Sequence, residues 1–166
     1  MKAKTFPSGA RLAAINGILR MLIHNKGRMG IAELSRMSDS EVDTLLPQVN
    51  AATMLKLVKV VGDNISITKL GKDFHINDEA ALKKARDLLI EIEPFKTAHA
   101  LSKKKDKFST VELAEELERK GIVLDIDKDM NISLLNTMLF HWAIYFSIID
   151  HYGISGYWKE DKSEMR

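Results

Sequence analysis

The first apolar rhythm in the chain begins at Ala10. Leu12, Ile15, Leu19, Leu22 and Ile23 recur at three- and four-residue spacing up to His24, which places them on one face of a helix. Asn25-Lys26-Gly27 closes that helix, the glycine supplying the left-handed conformation helix ends favour. A short helix is expected over 31–37, with Ile31 and Leu34 inward, followed by a Ser38-Asp39-Ser40 turn. The next periodic segment runs from about Asp43 to Leu55. Pro47 lacks an N–H, so this helix is expected to begin just before it and keep the proline in its first turn. Leu46, Val49, Ala52 and Met54 are its expected core face.

The period then shortens. Leu57-Val58-Lys59-Val60-Val61 and Ile65-Ser66-Ile67-Thr68 flank Gly62-Asp63-Asn64, and β-branched residues around such a turn predict a hairpin. Helix, short helix, helix, hairpin is the order of a winged helix-turn-helix. Ile67-Thr68-Lys69-Leu70-Gly71-Lys72 fits the exit from the wing, with Thr68 capping a turn of helix.

Long helical patterns follow. Asn77 or Asp78 caps a helix reaching about Glu93, with Ala81, Leu82, Ala85, Leu88, Leu89 and Ile92 as its stripe. Pro94 restarts a helix to about Ser102, and Lys103-Lys104-Lys105-Asp106-Lys107 is a charged loop. Ser109-Thr110-Val111-Glu112 is a capping box opening a helix that ends at Gly121. Residues 125–131 read as a polar loop, and 132–149 as an apolar core helix anchored by Trp142, Tyr145 and Phe146. The fold class is therefore mainly α with a small β-hairpin wing. A winged helix-turn-helix over 10–75 is followed by a helical domain over 76–155 packed on it, with flexible ends at 1–9 and 156–166.

Composition narrows the chemistry. The 166 residues suit one domain or two small ones, and 45% hydrophobic content suffices for a core. There is no cysteine, so disulfides, thiolate metal sites and cysteine nucleophiles are excluded. No secretory leader is legible, because Arg11, Asn16 and Arg20 interrupt the early apolar stretch. The run 132–149 contains Asn136, Thr137 and His141 and is barely long enough to cross a bilayer, which needs ~20 apolar residues, so it reads as a buried core helix rather than a membrane span. A phosphate loop is absent around Gly71-Lys72, and no serine sits in a G-x-S-x-G elbow. Asp125, Asp127 and Asp129 have calcium-loop spacing, but Met130 and Asn136 stand where a glycine and a bidentate glutamate are required. The five histidines are scattered without ligand spacing. No cofactor, metal or catalytic residue is expected, and the chain does not read as an enzyme.

Charge bears on nucleic acid. Residues 1–75 hold 11 Lys/Arg against 6 Asp/Glu, and the first acidic residue is Glu33, so the basic start would favour anionic surfaces. Between Ser38 and Met54, however, there is no Lys or Arg, while Asp39, Glu41 and Asp43 are acidic. A third helix that starts with three carboxylates repels phosphates. Nucleic acid is thus disfavoured. Were it bound, Lys26, Arg28, Lys56 and Lys59 would be the phosphate contacts, with the basic N-terminus as an arm.

Three pieces taken in order resemble a known family. They are Leu45-Leu46-Pro47 with Val49, Ala51-Ala52 and Leu55; Ile65-Ser66-Ile67-Thr68 with Gly71-Lys72; and Trp142, Tyr145 and the closing Asp150-His151-Tyr152. Over 18–152 the chain resembles the AAA-associated C-terminal domain usually attached to ATPases of nitrate/sulfonate/bicarbonate-type ABC transporters. Many members carry a small residue and an arginine beside the tryptophan, where this chain has Ala143 and Ile144. The resemblance implies a cytoplasmic regulatory and protein-interaction module, peripheral to the membrane through a transporter complex. No ATPase domain is legible, so the implied partner is an ABC transporter ATPase in trans, or a second copy of the chain. The alternative is a winged-helix DNA-binding transcriptional regulator.

Overall fold

In the computed structural model the described residues are 4–153 and 156–163. By backbone proximity they form two units. One is 9–88; the other joins the described part of the N-terminal segment, 4–8, to 89–163. The first unit extends past the boundary expected near residue 75.

In the unit 9–88, α1 (Leu12–His24) buries Ile15, Ile18, Leu19 and Leu22, the face its periodicity predicts. The amide of Gly27 donates to the Leu22 carbonyl at 2.7 Å, with Gly27 at φ 91°, and this closes the helix. β1 (Arg28–Gly30) then precedes α2 (Ile31–Ser38), which stops at Asp39 in the left-handed region. α3 (Val42–Met54) buries Leu45, Gln48, Val49, Ala51 and Ala52. Leu46, expected inward, is 42% exposed, because the three-four register of Val49 and Ala52 selects Leu45 instead. Pro47 falls in the second turn, not the first; the carbonyl it leaves without an amide belongs to exposed Asp43, where water can satisfy it. Gln48 ties α3 to the start of α1. Its Oε1 accepts from the Arg11 amide at 2.7 Å and its Nε2 donates to the Gly9 carbonyl at 2.9 Å.

The expected hairpin is β2 (Val58–Val61) and β3 (Asn64–Ile67) around Gly62-Asp63. β1 pairs antiparallel with β3, which makes a three-stranded sheet in the order β1-β3-β2 that three residues of sequence did not announce. Thr68 caps α4 (Lys69–His75) by accepting from the Gly71 amide at 3.0 Å. A Cβ on Gly71 would stand 2.1 Å from the Leu57 carbonyl oxygen, so only glycine lets α4 lie against the base of the hairpin. α5 (Glu79–Ile90), with the Asp78 carboxylate accepting from the Ala81 amide, carries the chain into the second unit.

The second unit is built around aromatics. α6 (Phe95–Lys104), β4 (Phe108–Ser109), α7 (Thr110–Arg119) and α8 (Lys128–Met138) are followed by a π-helical turn (Leu139–Ala143), β5 (Ile149–Tyr152) and β6 (Tyr157–Glu160). Phe6 meets Phe95 and Trp142 edge-on, at 5.5 and 4.7 Å between ring centroids, and Trp142 stacks on Phe146 at 6.1 Å. The strand order is β4-β6-β5. The Trp158 indole donates to Thr110 at 2.9 Å, and Thr110 in turn donates to Asn136. Glu93 is a buried carboxylate accepting from the Thr97 amide at 3.1 Å, from the Thr97 hydroxyl and from Lys120 at 3.3 Å.

Two expectations are corrected here. The helix expected over 132–149 begins earlier, at the Asp127 cap, and gives way to the π-helical turn; Ile149 pairs with Glu160 in the sheet instead. Within the ends expected to be flexible, Phe6 is buried and 157–160 form β6, because each carries aromatic surface that packing removes from water. Residues 1–3 and 164–166 lie outside the described residues, and Lys2 of the proposed basic arm with them. Among the described residues, no helix is long and apolar enough to cross a membrane.

Two glycines separate packing from propensity. Gly71→Ala should cost roughly 1–3 kcal/mol by forced overpacking. Gly17→Ala, in mid-α1 with nothing within 4 Å of the added carbon, should gain about 0.5–1 kcal/mol. Urea denaturation followed by circular dichroism checks both, and midpoints moving in the same direction would contradict the assignment.

Candidate interaction surfaces

A winged helix presents its third helix and its hairpin to whatever it binds. In the unit 9–88 the two enclose a cleft of 230 Å³ lined by Ile31, Leu46, Val49, Val60 and Ile65, with Asp63 at the hairpin turn. Val60 is 41% exposed and lies opposite Ile65 on the inner face of the sheet. Asp39, Glu41 and Asp43, at and before the start of α3, are exposed, and no ion pair holds them among the described residues. The cleft is mainly aliphatic, with Asn50 and Thr53 also lining it, and the exposed charges at the start of its helix and at its turn are acidic.

The four candidate phosphate contacts lie elsewhere on this unit. Arg28 and Lys59 are both register partners of Ser66, one on each side, so their side chains share the outer face of the sheet. Lys26 and Lys56 occupy turns with φ of 62° and 58° at the base of β1 and β2. The Ile67 amide donates to the Gly27 carbonyl and the Thr68 amide to the Leu57 carbonyl, so all four basic residues border the 66–68 segment. The structure thus brings the four together at the base of the wing, on residues that do not line the cleft.

The aromatic candidates separate. Trp142 is 1% exposed and Phe146 is buried with it; both are core. Tyr145, at 49%, presents its ring to solvent with its edge against Phe146 at 4.9 Å. Sequence reasoning missed Phe140, which is 55% exposed and lies 5.6 Å from the His141 ring and 5.7 Å from the His151 ring. It also missed the Tyr152–Tyr157 cross-strand pair, over which Lys107 sits at 5.2 and 4.5 Å. Gly153 and Gly156 between two short β-favouring segments were the available signal for that hairpin.

A recess of 670 Å³ in the second unit lies between the end of α6 and the end of β6. Its lysines (Lys103, Lys104, Lys105, Lys159, Lys162) alternate with Asp106, Asp150, Glu160 and Asp161. Asp150 is the register partner of Lys159, and Lys103 donates to Glu160 at 2.7 Å. Such interleaving leaves little net field for an anion. Asp125 and Asp127 are used locally: the Asp127 amide donates to Asp125, and Asp127 accepts from the Met130 amide as the α8 cap. Among the described residues no group of three or more His, Asp or Glu is placed to hold a metal ion.

The Lys103 hydrogen bond, with the charges of Lys103, Lys162 and His99, outweighs desolvation and holds the Glu160 carboxyl below its ordinary value. A depressed carboxyl contributes stability above its unfolded pKa and loses it as pH falls through the folded value. An NMR titration of Glu160 should therefore give a midpoint below that of an unpaired glutamate, and Lys103→Ala should raise it. An unchanged midpoint would contradict the pairing.

The model of the C-terminal AAA-associated domain matches residues 32–151, and the chain belongs to that family. No curated protein and no solved structure matches it. The matched span takes in α3, the hairpin, Phe95, Phe108, Trp142 and Phe146 of the aromatic core, and β5 as far as His151.

Proposed function

From membership in the C-terminal AAA-associated domain family, we propose that this non-enzymatic chain is a cytoplasmic regulatory module that binds a protein partner, an ABC transporter ATPase. The observation that carries the reading is the character of the α3–hairpin face. Where a DNA-binding winged helix needs cations to neutralise phosphates, this face offers Leu46, Val60 and a cleft whose one charged lining residue is Asp63, with exposed Asp39, Glu41 and Asp43 at and before the start of α3. Aliphatic side chains held half in water on a folded sheet and helix are what a protein partner buries.

The alternative, a DNA-binding transcriptional regulator, is favoured by one observation, the convergence of Lys26, Arg28, Lys56 and Lys59 at the base of the wing. A second copy of the chain is the other partner to distinguish. The readings separate in solution. Fluorescence anisotropy with mixed-sequence duplex DNA should show no binding even at low salt. Pull-down should capture a transporter ATPase, and Leu46→Glu with Val60→Glu should weaken capture by about tenfold or more, the scale of a disrupted interface anchor. DNA binding that falls steeply with salt and is lost in Arg28→Glu with Lys59→Glu would overturn the proposal.

A further inference from the structure

The second unit carries an apolar groove that the reading above does not use. It has a volume of 340 Å³ and lies between α7, the loop after it and the first turns of α8. Val111, Val123 and Ile126 line it at 52%, 51% and 99% exposure. Ile126 stands between Asp125 and Asp127, and the backbone around it is held by side chains: the Leu124 amide donates to buried Asn131, and the Asp127 amide to Asp125. A folded segment therefore holds an isoleucine almost wholly in water beside an apolar recess, the arrangement of an interaction anchor.

The charge around the groove says what would cover it. Glu115, Glu118, Asp125 and Asp129 line it against a single cation, Lys128. Among the described residues none of the four is in an ion pair; Arg119, near them in sequence, pairs with Glu116. The walls are helices and a loop with no strand, so an occupant finds no strand edge to extend and must satisfy its own backbone. We propose that this groove binds an amphipathic helix of a partner protein, with aliphatic residues inward and Lys or Arg along its flanks. The inference rests on the reading of the chain as a protein-interaction module and gives that module's partner a chemistry.

The test uses the full chain and two fluorescein-labelled helical peptides. They share leucines at i, i+3, i+4 and i+7 and differ only in carrying lysine or glutamate on the flanks. The lysine peptide should bind, at least tenfold more tightly than the glutamate peptide, and more weakly at high salt. Ile126→Ser, at a position with almost no packing to lose, should keep the melting temperature and weaken binding at least fivefold. Glu115→Lys with Glu118→Lys should shift preference to the glutamate peptide. Equal binding of both peptides, no binding of the lysine peptide, or binding indifferent to Ile126→Ser would overturn the proposal. So would a self-association that Ile126→Ser abolishes, which would assign the groove to a second copy. Capture of an ATPase at unchanged strength by the Ile126→Ser chain, with no lysine-peptide binding, would remove this groove and leave the module reading intact. Ile126-dependent binding of the lysine peptide without any ATPase capture would do the reverse.

Discussion

The contact between Gly71 and the Leu57 carbonyl is the constraint on which the winged-helix unit turns. No side chain fits at residue 71, so α4 lies directly on the base of the hairpin. Thr68 completes the joint: its hydroxyl lies 2.7 Å from the Lys56 carbonyl oxygen and 3.0 Å from that of Leu57 while accepting from the Gly71 amide. With β2 fixed there, the two-residue turn sets the register, and register decides which side chains face α3. Val60 and Ile65 face the cleft, and Arg28 and Lys59 take the opposite face. A slip of one residue would put lysine in the cleft and valine outside. The chemistry of the presented face thus follows from a backbone contact.

The second unit solves a different problem. Its helices are short, and its sheet has strands of two to four residues. Neither makes a core alone. Aromatic surface closes it: Trp142 between Phe6 and Phe146, Phe108 buried in β4 itself, and Trp158 with its indole donating to Thr110. Phe6 precedes the first unit in the chain yet packs in the second, and the strand-like pairing of Thr5 with Glu93 holds it there.

Much of this was legible in the sequence and some was not, for physical reasons. Long amphipathic helices and the Gly62-Asp63 hairpin show themselves because period and turn chemistry agree. Leu45-Leu46 was ambiguous, since either leucine suits a helix and only the packed register decides between them. β1 has one apolar residue in three, and β4 is two residues long, so neither carries a period. Ile149 ended an apolar run and looked like more helix until Tyr157–Glu160 offered it a partner. The acidic start of α3 was visible as composition. The exposure of Ile126 was not, because an isoleucine between two aspartates gives no sign of which way it points.

The two recesses, in separate units, set aliphatic side chains beside acidic ones, Asp63 in the first and Glu115, Glu118, Asp125 and Asp129 in the second, and Arg28 and Lys59 lie on the other face of the first unit's sheet. Such surfaces favour a partner that supplies apolar anchors and positive charge, and they disfavour a phosphate backbone. Hydrogen–deuterium exchange of the full chain, alone and mixed with a transporter ATPase, tests this most directly. Slowed exchange in α3 and the hairpin, and in the loop between α7 and α8, is the expected result. No slowing at either place, or slowing confined to the base of the wing around Arg28 and Lys59, would contradict it.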